Sequence, residues 1–278
     1  MLTEDDFVDL VSTRTGVLRE ILDTTSRLET DLGLDSFGLL ELAASLTDLG
    51  ANIEEREWLE AGTIGGLYAC YRERIGSFSA PAGETEAETA GGSESLVGPP
   101  QLAGQFFRLV PVHPQAAPFL YDLAVSPDVG FRWRYRGSVP PFAQFENDLW
   151  QGVFAQFLVE SVQTSQPAGH VMCYNADLNL GHAYVGAAMA GQYLGSGIAA
   201  EPVQLFVSYL FDVWPLRKLY LELPEFNFTQ FASAIGRGLS VEARLRGHDY
   251  YRGRRWDRLI LAIYRPGQEP AFSGEFAG

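Results

Sequence analysis

The chain has 278 residues, 46% hydrophobic and 20% charged, with 35 acidic side chains against 20 basic ones and a formal net charge of −15. That length allows two ordinary domains, and the apolar share is enough to build cores, so the chain is not disordered overall. The charge argues against a nucleic-acid partner, because phosphate contacts need clustered Lys and Arg. Lys218 is the single lysine, so a polybasic membrane patch is excluded as well. Cys70 and Cys173 make neither a disulfide framework nor a four-ligand zinc site, which fits a reducing, cytoplasmic address. Glu4, Asp5, Asp6 and Asp9 oppose the positive start of an export signal. The uncharged stretch Leu178–Ala200 holds five glycines with Asn179, His182, Gln192 and Ser196, too polar and too broken for a membrane span.

The charge is unevenly placed. Residues 1–76 hold 16 acidic and 6 basic side chains, residues 77–100 hold four glutamates and no base, and residues 101–278 hold 15 acidic and 14 basic side chains. The segment 77–100, built of Gly, Ser, Ala, Pro and Glu, has too little apolar payload to order itself and reads as a flexible acidic linker. Its random-coil span is roughly 25–30 Å. The chain therefore divides into a small acidic domain, 1–76, a tether, 77–100, and a larger near-neutral domain, 101–278.

In the first domain Phe7, Leu10, Val11, Val17, Leu18, Ile21 and Leu22 recur at helical spacing. A loop follows through Thr30 to Leu34. A second helix opens at Asp35-Ser36, carries Phe37, Leu40, Ala43, Ala44 and Leu46, and stops at Gly50. A last helix starts near Thr63 and runs through Ile64, Leu67 and Tyr71. Asp-Ser before an apolar run is by itself an ordinary helix cap. In a strongly acidic stretch of this size, Gly33-Leu34-Asp35-Ser36 followed by a leucine-rich helix resembles the acyl and peptidyl carrier proteins. The resemblance covers residues 1–76 and implies an all-α four-helix bundle with 4′-phosphopantetheine attached to Ser36 by a phosphopantetheinyl transferase. A phosphodiester there would face the free N–H groups and positive end of a helix. Such a body docks transiently on enzymes that load its arm, and Glu41 and Asp48 are available for docking.

The second domain alternates elements. Phe106–Pro111 reads as a strand, His113–Ala124 as a helix, Val129–Gly137 as a loop rich in arginine and aromatics, and Phe142–Gly152 as a helix. Phe154–Val162, Gly169–Asn175 and His182–Met189 read as a strand meander, Gly195–Phe211 as a helix, Lys218–Leu223 as a strand and Phe228–Ile235 as a helix. Leu239–Leu245 and Arg258–Tyr264 close the list as strands. The order predicts a mixed α/β domain around one central sheet.

Between the third meander strand and the long helix stands Gln192-Tyr193-Leu194-Gly195-Ser196-Gly197. Glycines let the backbone approach a ligand, and a following helix start favours a pyrophosphate. In that setting Gln-x-x-Gly-x-Gly resembles the coenzyme A loop of the GNAT N-acyltransferases. The match runs on through Glu201, Tyr209-Leu210-Phe211, Arg217-Lys218-Leu219, Asn227, Gly238-Leu239, Glu242–Arg246 and Asp257, covering about residues 105–265. The order looks like the branch holding the ribosomal-protein alanine acetyltransferases and the antibiotic-modifying ones. The resemblance implies acetyl-CoA or another acyl-CoA bound by Gln192, Gly195, Ser196, Gly197 and Asn227.

It also implies direct attack of an amine on a thioester held between two splayed strands. Base candidates are His182, Tyr184, Tyr174 and Asp177, of which His182 reads equally as a turn residue and Asp177 more readily as one. Where many members have a tyrosine acid this chain has Ala234; Ser233 beside it reads as a substitute or, more readily, as a plain packing residue. Pro202 predicts a kink in the helix that follows the loop. Arg132, Trp133, Arg134 and Tyr135 lie where this fold walls its acceptor site. They bind a carboxylate, a phosphate or the acidic carrier surface, or they only stiffen the loop.

Together the two resemblances imply a carrier-fused acyltransferase of specialised-metabolite biosynthesis, moving an acyl group from the Ser36 arm to the amine or hydroxyl of a small-molecule acceptor. One alternative is acetyl-CoA-dependent acetylation of an amine tethered to Ser36. Another is a silent second domain that serves as a docking platform for the carrier.

Overall fold

A computed structural model describes residues 1–28, 30–33, 35–77, 102–235 and 238–269, with the side chains of Ser36, Phe37, Ser77, Gln230, Ala232, Ser233 and Ala234 outside the described atoms. The expected tether lies, Ser77 apart, outside the described residues. The chain divides into two compact units, one of Met1–Leu34 and Gly38–Gln101, the other of Leu102–Gly278 together with Asp35–Phe37.

The first unit is helical. Helix α1 (Glu4–Thr15) is fixed at its start by a capping box, in which Thr3 Oγ1 accepts from Asp6 N (3.2 Å) and Asp6 Oδ2 accepts from Thr3 N (3.1 Å). It buries Phe7, Val8 and Val11 and ends at Gly16, whose φ of 73° closes the last turn onto the Ser12 carbonyl (2.8 Å). The helical spacing read through Leu22 therefore fails after Gly16. Only a 3-10 turn, Arg19–Ile21, follows, and Leu18 and Ile21 are each 67% exposed.

Helix α2 (Ser36–Asp48) begins at Ser36 and buries Leu39, Leu42, Ala43 and Leu46. Gly50, at φ 84°, lies just past its end. A short helix α3 (Glu55–Ala61), not read from the sequence, starts in a Glu54/Glu57 capping box and buries Trp58. Helix α4 (Ile64–Ser77) follows at once, and its first turn leaves no room for side chains. A Cβ on Gly66 would meet the Ala61 carbonyl oxygen at 2.1 Å. Tyr68 and Tyr71 of α4 close on Phe7 with ring centroids 5.3 Å apart.

The second unit is built on one sheet. Its strands are β1 (Phe107–Pro111), β2 (Val153–Ser161), β3 (Pro167–Asp177), β4 (His182–Met189), β5 (Lys218–Pro224), β6 (Leu239–Tyr251) and β7 (Arg254–Tyr264), ordered β1-β2-β3-β4-β5-β7-β6. Every neighbouring pair is antiparallel except β4–β5. Helices α5 (Ala117–Val125) and α6 (Phe142–Asp148) cover one face, packing Leu120, Phe145 and Leu149 on Leu158. Helix α7 (Glu201–Val213), the β4–β5 crossover, covers the other, with Phe206 against Phe157 and Val203 against Leu221 and Leu223.

The strands β6 and β7 run well past the predicted ends. Their hairpin turns on Arg252 and Gly253, both left-handed (φ 50° and 78°), and β6 carries a bulge between Leu245 and Asp249. The predicted helix Gly195–Phe211 begins only at Glu201, since Gly195 and Gly197 both sit at φ 81°. Pro202 consequently falls in the first turn, where its missing N–H had no helical partner to lose, and the predicted kink has no cause.

Glu201 ties α7 to the opening of β1. Its carboxylate accepts from the backbone N–H groups of Gln105 (2.7 Å), Phe106 (2.9 Å) and Phe107 (2.8 Å). A Cβ on Gly104 would strike this carboxylate at 2.5 Å, so the glycine is required there. Glu201→Ala should lower the stability of the second unit by about 2–4 kcal/mol, because two buried N–H donors and a half-buried one lose this acceptor. Urea denaturation followed by tryptophan fluorescence measures it; a loss under about 0.5 kcal/mol would contradict the assignment.

Candidate active site

The hydrogen bonding between β4 and β5 stops early. Pairing covers His182–Lys218, Ala183–Leu219 and Tyr184–Tyr220 and then ceases, although β4 continues to Met189 and β5 to Pro224. Each strand stays paired along its other edge, β4 with β3 through Met189 and β5 with β7 through Pro224. The facing edges of Val185–Met189 and Leu221–Pro224 therefore present unpaired peptide groups to a cavity of about 600 Å³, and both runs line it.

The cavity draws its walls from both faces of the sheet. On the α7 side stand Ala199, Ala200, Val203 and Phe231, with the apolar Leu221 and Leu223 beneath. On the other side stand the 131–136 loop, Tyr174, Glu222, Arg258 and the end of β6. Trp133 seats the loop, because a Cβ on Gly186 would come within 3.0 Å of its ring. Phe131 stacks on Tyr251 at 3.9 Å and so joins the loop to the β6–β7 hairpin.

At the mouth on the α7 side runs the glycine loop. Tyr193 is buried edge-on against Phe107 (5.1 Å) and anchors it, while Ser196 Oγ donates to the Tyr193 carbonyl (2.6 Å). The N–H groups of Gly195, Gly197, Ile198 and Ala199 donate to no acceptor among the described residues. Two left-handed glycines beside a helix start give a concave set of donors suited to phosphate oxygens. Gln192 is exposed on this loop; Asn227 is buried and lines the cavity. A pantetheine chain with a terminal phosphate or diphosphate fits these features, its amides against the open strand edges and its anionic end on the loop.

The remaining candidates separate. Tyr174 lines the cavity, and burial pushes its phenol up to about 12, so it holds its proton at neutral pH and is a donor rather than a base. Tyr184 lies next to it (5.7 Å between rings), outside the lining, and His182 stands further along β4 against Tyr220. Asp177 accepts from the N–H groups of Asn179 (3.0 Å) and Leu180 (2.9 Å), as turn chemistry requires. The side chain of Ser233 lies outside the described atoms, as does that of Ser36.

Arg132 and Trp133 line the cavity. Arg134 also borders it, yet its guanidinium is committed to the carbonyls of Asp148, Leu149 (3.0 Å) and Gln151 (3.3 Å). Tyr135 turns away, its ring against Phe145 and its hydroxyl on Asp148 (3.3 Å). Sequence reasoning missed the acid pair of this wall: Glu222 and Asp249 both bind Arg258, the former at 3.1 Å. The β6 bulge, marked only by Gly247, brings Asp249 there.

Residues 5–71 match the family described as the phosphopantetheine attachment site. No curated protein sequence matches the chain. Among solved structures, spermidine N-acetyltransferase from Vibrio cholerae in complex with CoA and spermine is 18% identical with a TM-score of 0.52, over 58% of this chain and 97% of that one. A point variant of SpeG spermidine N-acetyltransferase from the same organism is 18% identical with a TM-score of 0.50, over 57% and 93%. The first unit thus carries a phosphopantetheine-binding carrier domain, and the second has a GNAT-like fold.

Under the loop, His170 is buried, donates from Nε2 to Gln156 Oε1 (2.9 Å) and packs edge-on against Trp133. Burial, then the neighbouring Arg134, drives its pKa down to about 3. The unfolded imidazole binds a proton below its usual range and the folded one does not, so stability falls as pH drops from about 6.5 towards 3, by about 1.4 kcal/mol per unit. Stability measured against pH should show this slope in the native chain and lack it in His170→Gln; equal slopes would contradict a neutral buried histidine.

Proposed function

We propose that the chain is a carrier-fused acyltransferase that moves an acyl group from a phosphopantetheine thioester on Ser36 to the amine or hydroxyl of a small-molecule acceptor. The observation that carries this reading is the gap between β4 and β5, which opens to a donor-rich loop on the α7 face and to a polar pocket on the other. When bound, the arm supplies an activated acyl group as its thioester. The open edges of Val185–Met189 and Leu221–Pro224 hold an amide-bearing chain as an added strand is held, and the same N–H groups are placed to stabilise a developing oxyanion.

Glu222 lies on the splayed strand at the pocket side, and we assign it to accept the proton of the attacking amine. Tyr174 keeps a proton at the same wall. His182 and Tyr184 lie further back along β4 and are the weaker candidates for this role. The partners of this reading are a phosphopantetheinyl transferase and a loading enzyme, and its setting is cytoplasmic biosynthesis of a specialised metabolite. No helix among the described residues is long and apolar enough to cross a membrane.

The glycine loop favours one second reading. Four N–H groups at a helix start, without an acceptor among the described residues, suit a diphosphate better than a single phosphodiester, which supports acetyl-CoA as donor and an amine carried on Ser36 as acceptor.

Treatment with a phosphopantetheinyl transferase should add one arm to the native chain and none to Ser36→Ala, as read by intact mass. Thiol release after acyl loading and addition of an acceptor amine should disappear in Ser36→Ala. Release from acetyl-CoA to a free amine that is indifferent to Ser36→Ala would overturn the carrier as donor.

A further inference from the structure

The pocket on the loop side of the sheet has an unbalanced charge. Its two carboxylates, Glu222 and Asp249, share the one guanidinium of Arg258, and the negative charge left over is offset by Arg134, whose own bonds go to neutral main-chain carbonyls. Arg132 and Arg136 also line the cavity, and among the described residues neither guanidinium has a hydrogen bond or ion pair. Arg132 is half-buried beside the Phe131 ring (5.6 Å), with Tyr251 and Asp128 near but beyond ion-pair distance. Burial presses its pKa downward against the weaker upward pull of Tyr251 and Asp128. Arg136 is exposed at the rim, on a left-handed backbone (φ 49°) that the hydrogen bond from its N–H to the Trp133 carbonyl (2.9 Å) holds in place.

A chain of net charge −15 has thus concentrated uncompensated positive charge in one half of one cavity. Leaving a desolvated guanidinium unpaired is costly, and a bidentate anion relieves that cost. The phosphates of a donor group are not the natural claimant. Their loop lies at the start of α7, which packs on the Leu221 and Leu223 face, whereas Trp133, next to Arg132, packs on Gly186 from the opposite face.

We propose that the acyl acceptor carries a carboxylate, anchored by Arg132 with Arg136 at the rim, so that its nucleophile meets the thioester between β4 and β5. The proposal rests on the acyl-transfer reading for the word acceptor; the anion site itself stands without turnover. Polyamines, whose charge has the wrong sign, are excluded as good ligands of this half.

Calorimetric titration of the full chain separates these cases with probes of one skeleton, 3-phenylpropionate and phenethylamine, and with inorganic pyrophosphate and spermidine. We expect 3-phenylpropionate to bind at least about tenfold more tightly than phenethylamine, with spermidine no better than phenethylamine. Arg132→Gln should weaken 3-phenylpropionate about tenfold or more, Arg136→Gln less, and Arg132→Lys should keep part of the affinity; none should move pyrophosphate. Should Arg132→Gln fail to fold, Arg132→Lys and Arg136→Gln carry the comparison. Phenethylamine or spermidine binding as tightly as the anion, or 3-phenylpropionate indifferent to Arg132, overturns the proposal. So does a drop in pyrophosphate affinity equal to that for 3-phenylpropionate, which would assign Arg132 to the donor phosphates. Because no arm requires turnover, absent thiol release with intact anion binding would sink the acyl-transfer reading alone.

Discussion

The second unit depends on an interruption: two parallel strands that are hydrogen-bonded for three residues and then part. The interruption is tolerable because β4 and β5 are each fully paired on their outer edges, so only one row of peptide groups per strand is left open. Those groups are available to water or, under the proposed function, to an extended, amide-bearing chain. Small residues keep it open. Gly186, Ala187 and Ala188 place no bulk between the strands, and Trp133 occupies the space over Gly186 from the loop side. The site therefore follows from how the sheet ends its own pairing rather than from a cluster of reactive side chains.

Around this gap the charged residues divide into those that build the fold and those left over. Glu201 is consumed by three main-chain donors, Arg134 by three main-chain acceptors, and Arg258 by two carboxylates. Lys218 is likewise closed into a group with Glu242 (2.8 Å) beside Tyr220 and Tyr264. Once these internal commitments are removed, the cavity keeps Arg132 and Arg136. Counting what each charge is already bonded to, rather than how many charges line a wall, gives the pocket its sign. The same accounting shows why the Arg-aromatic loop is neither purely a stiffening device nor purely a binding one: alternate arginines take alternate roles.

Much of this architecture was legible in the sequence because its signals were strong and local. The alternation of β2 to β5, the glycine punctuation at Gly50 and the acidic helical start led to the right element types there. The errors have physical causes. Val17 to Leu22 kept a helical spacing that Gly16 had already ended. Pro202 looked like a kink because the helix was begun six residues early, at glycines whose left-handed backbone no helix accepts. The outer halves of β6 and β7 were hidden because a half-exposed hairpin has no apolar run to reveal it. Of the site candidates, His182 and Asp177 stand by the paired end of β4 and Tyr174 lines the cavity, while the cavity's Glu222, Asp249 and Arg258 meet only through strand register and a bulge, which single-sequence periodicity does not encode.

The central claim, that a pantetheine chain is held by the open edges of β4 and β5, is tested most directly by amide hydrogen exchange of the full chain with and without coenzyme A. The account predicts new protection confined to Val185–Met189, Leu221–Leu223 and the N–H groups of Gly195, Gly197, Ile198 and Ala199, with little change at His182–Tyr184, which are paired already. Protection absent from both open edges, or appearing instead at the paired end of the strands, would contradict it.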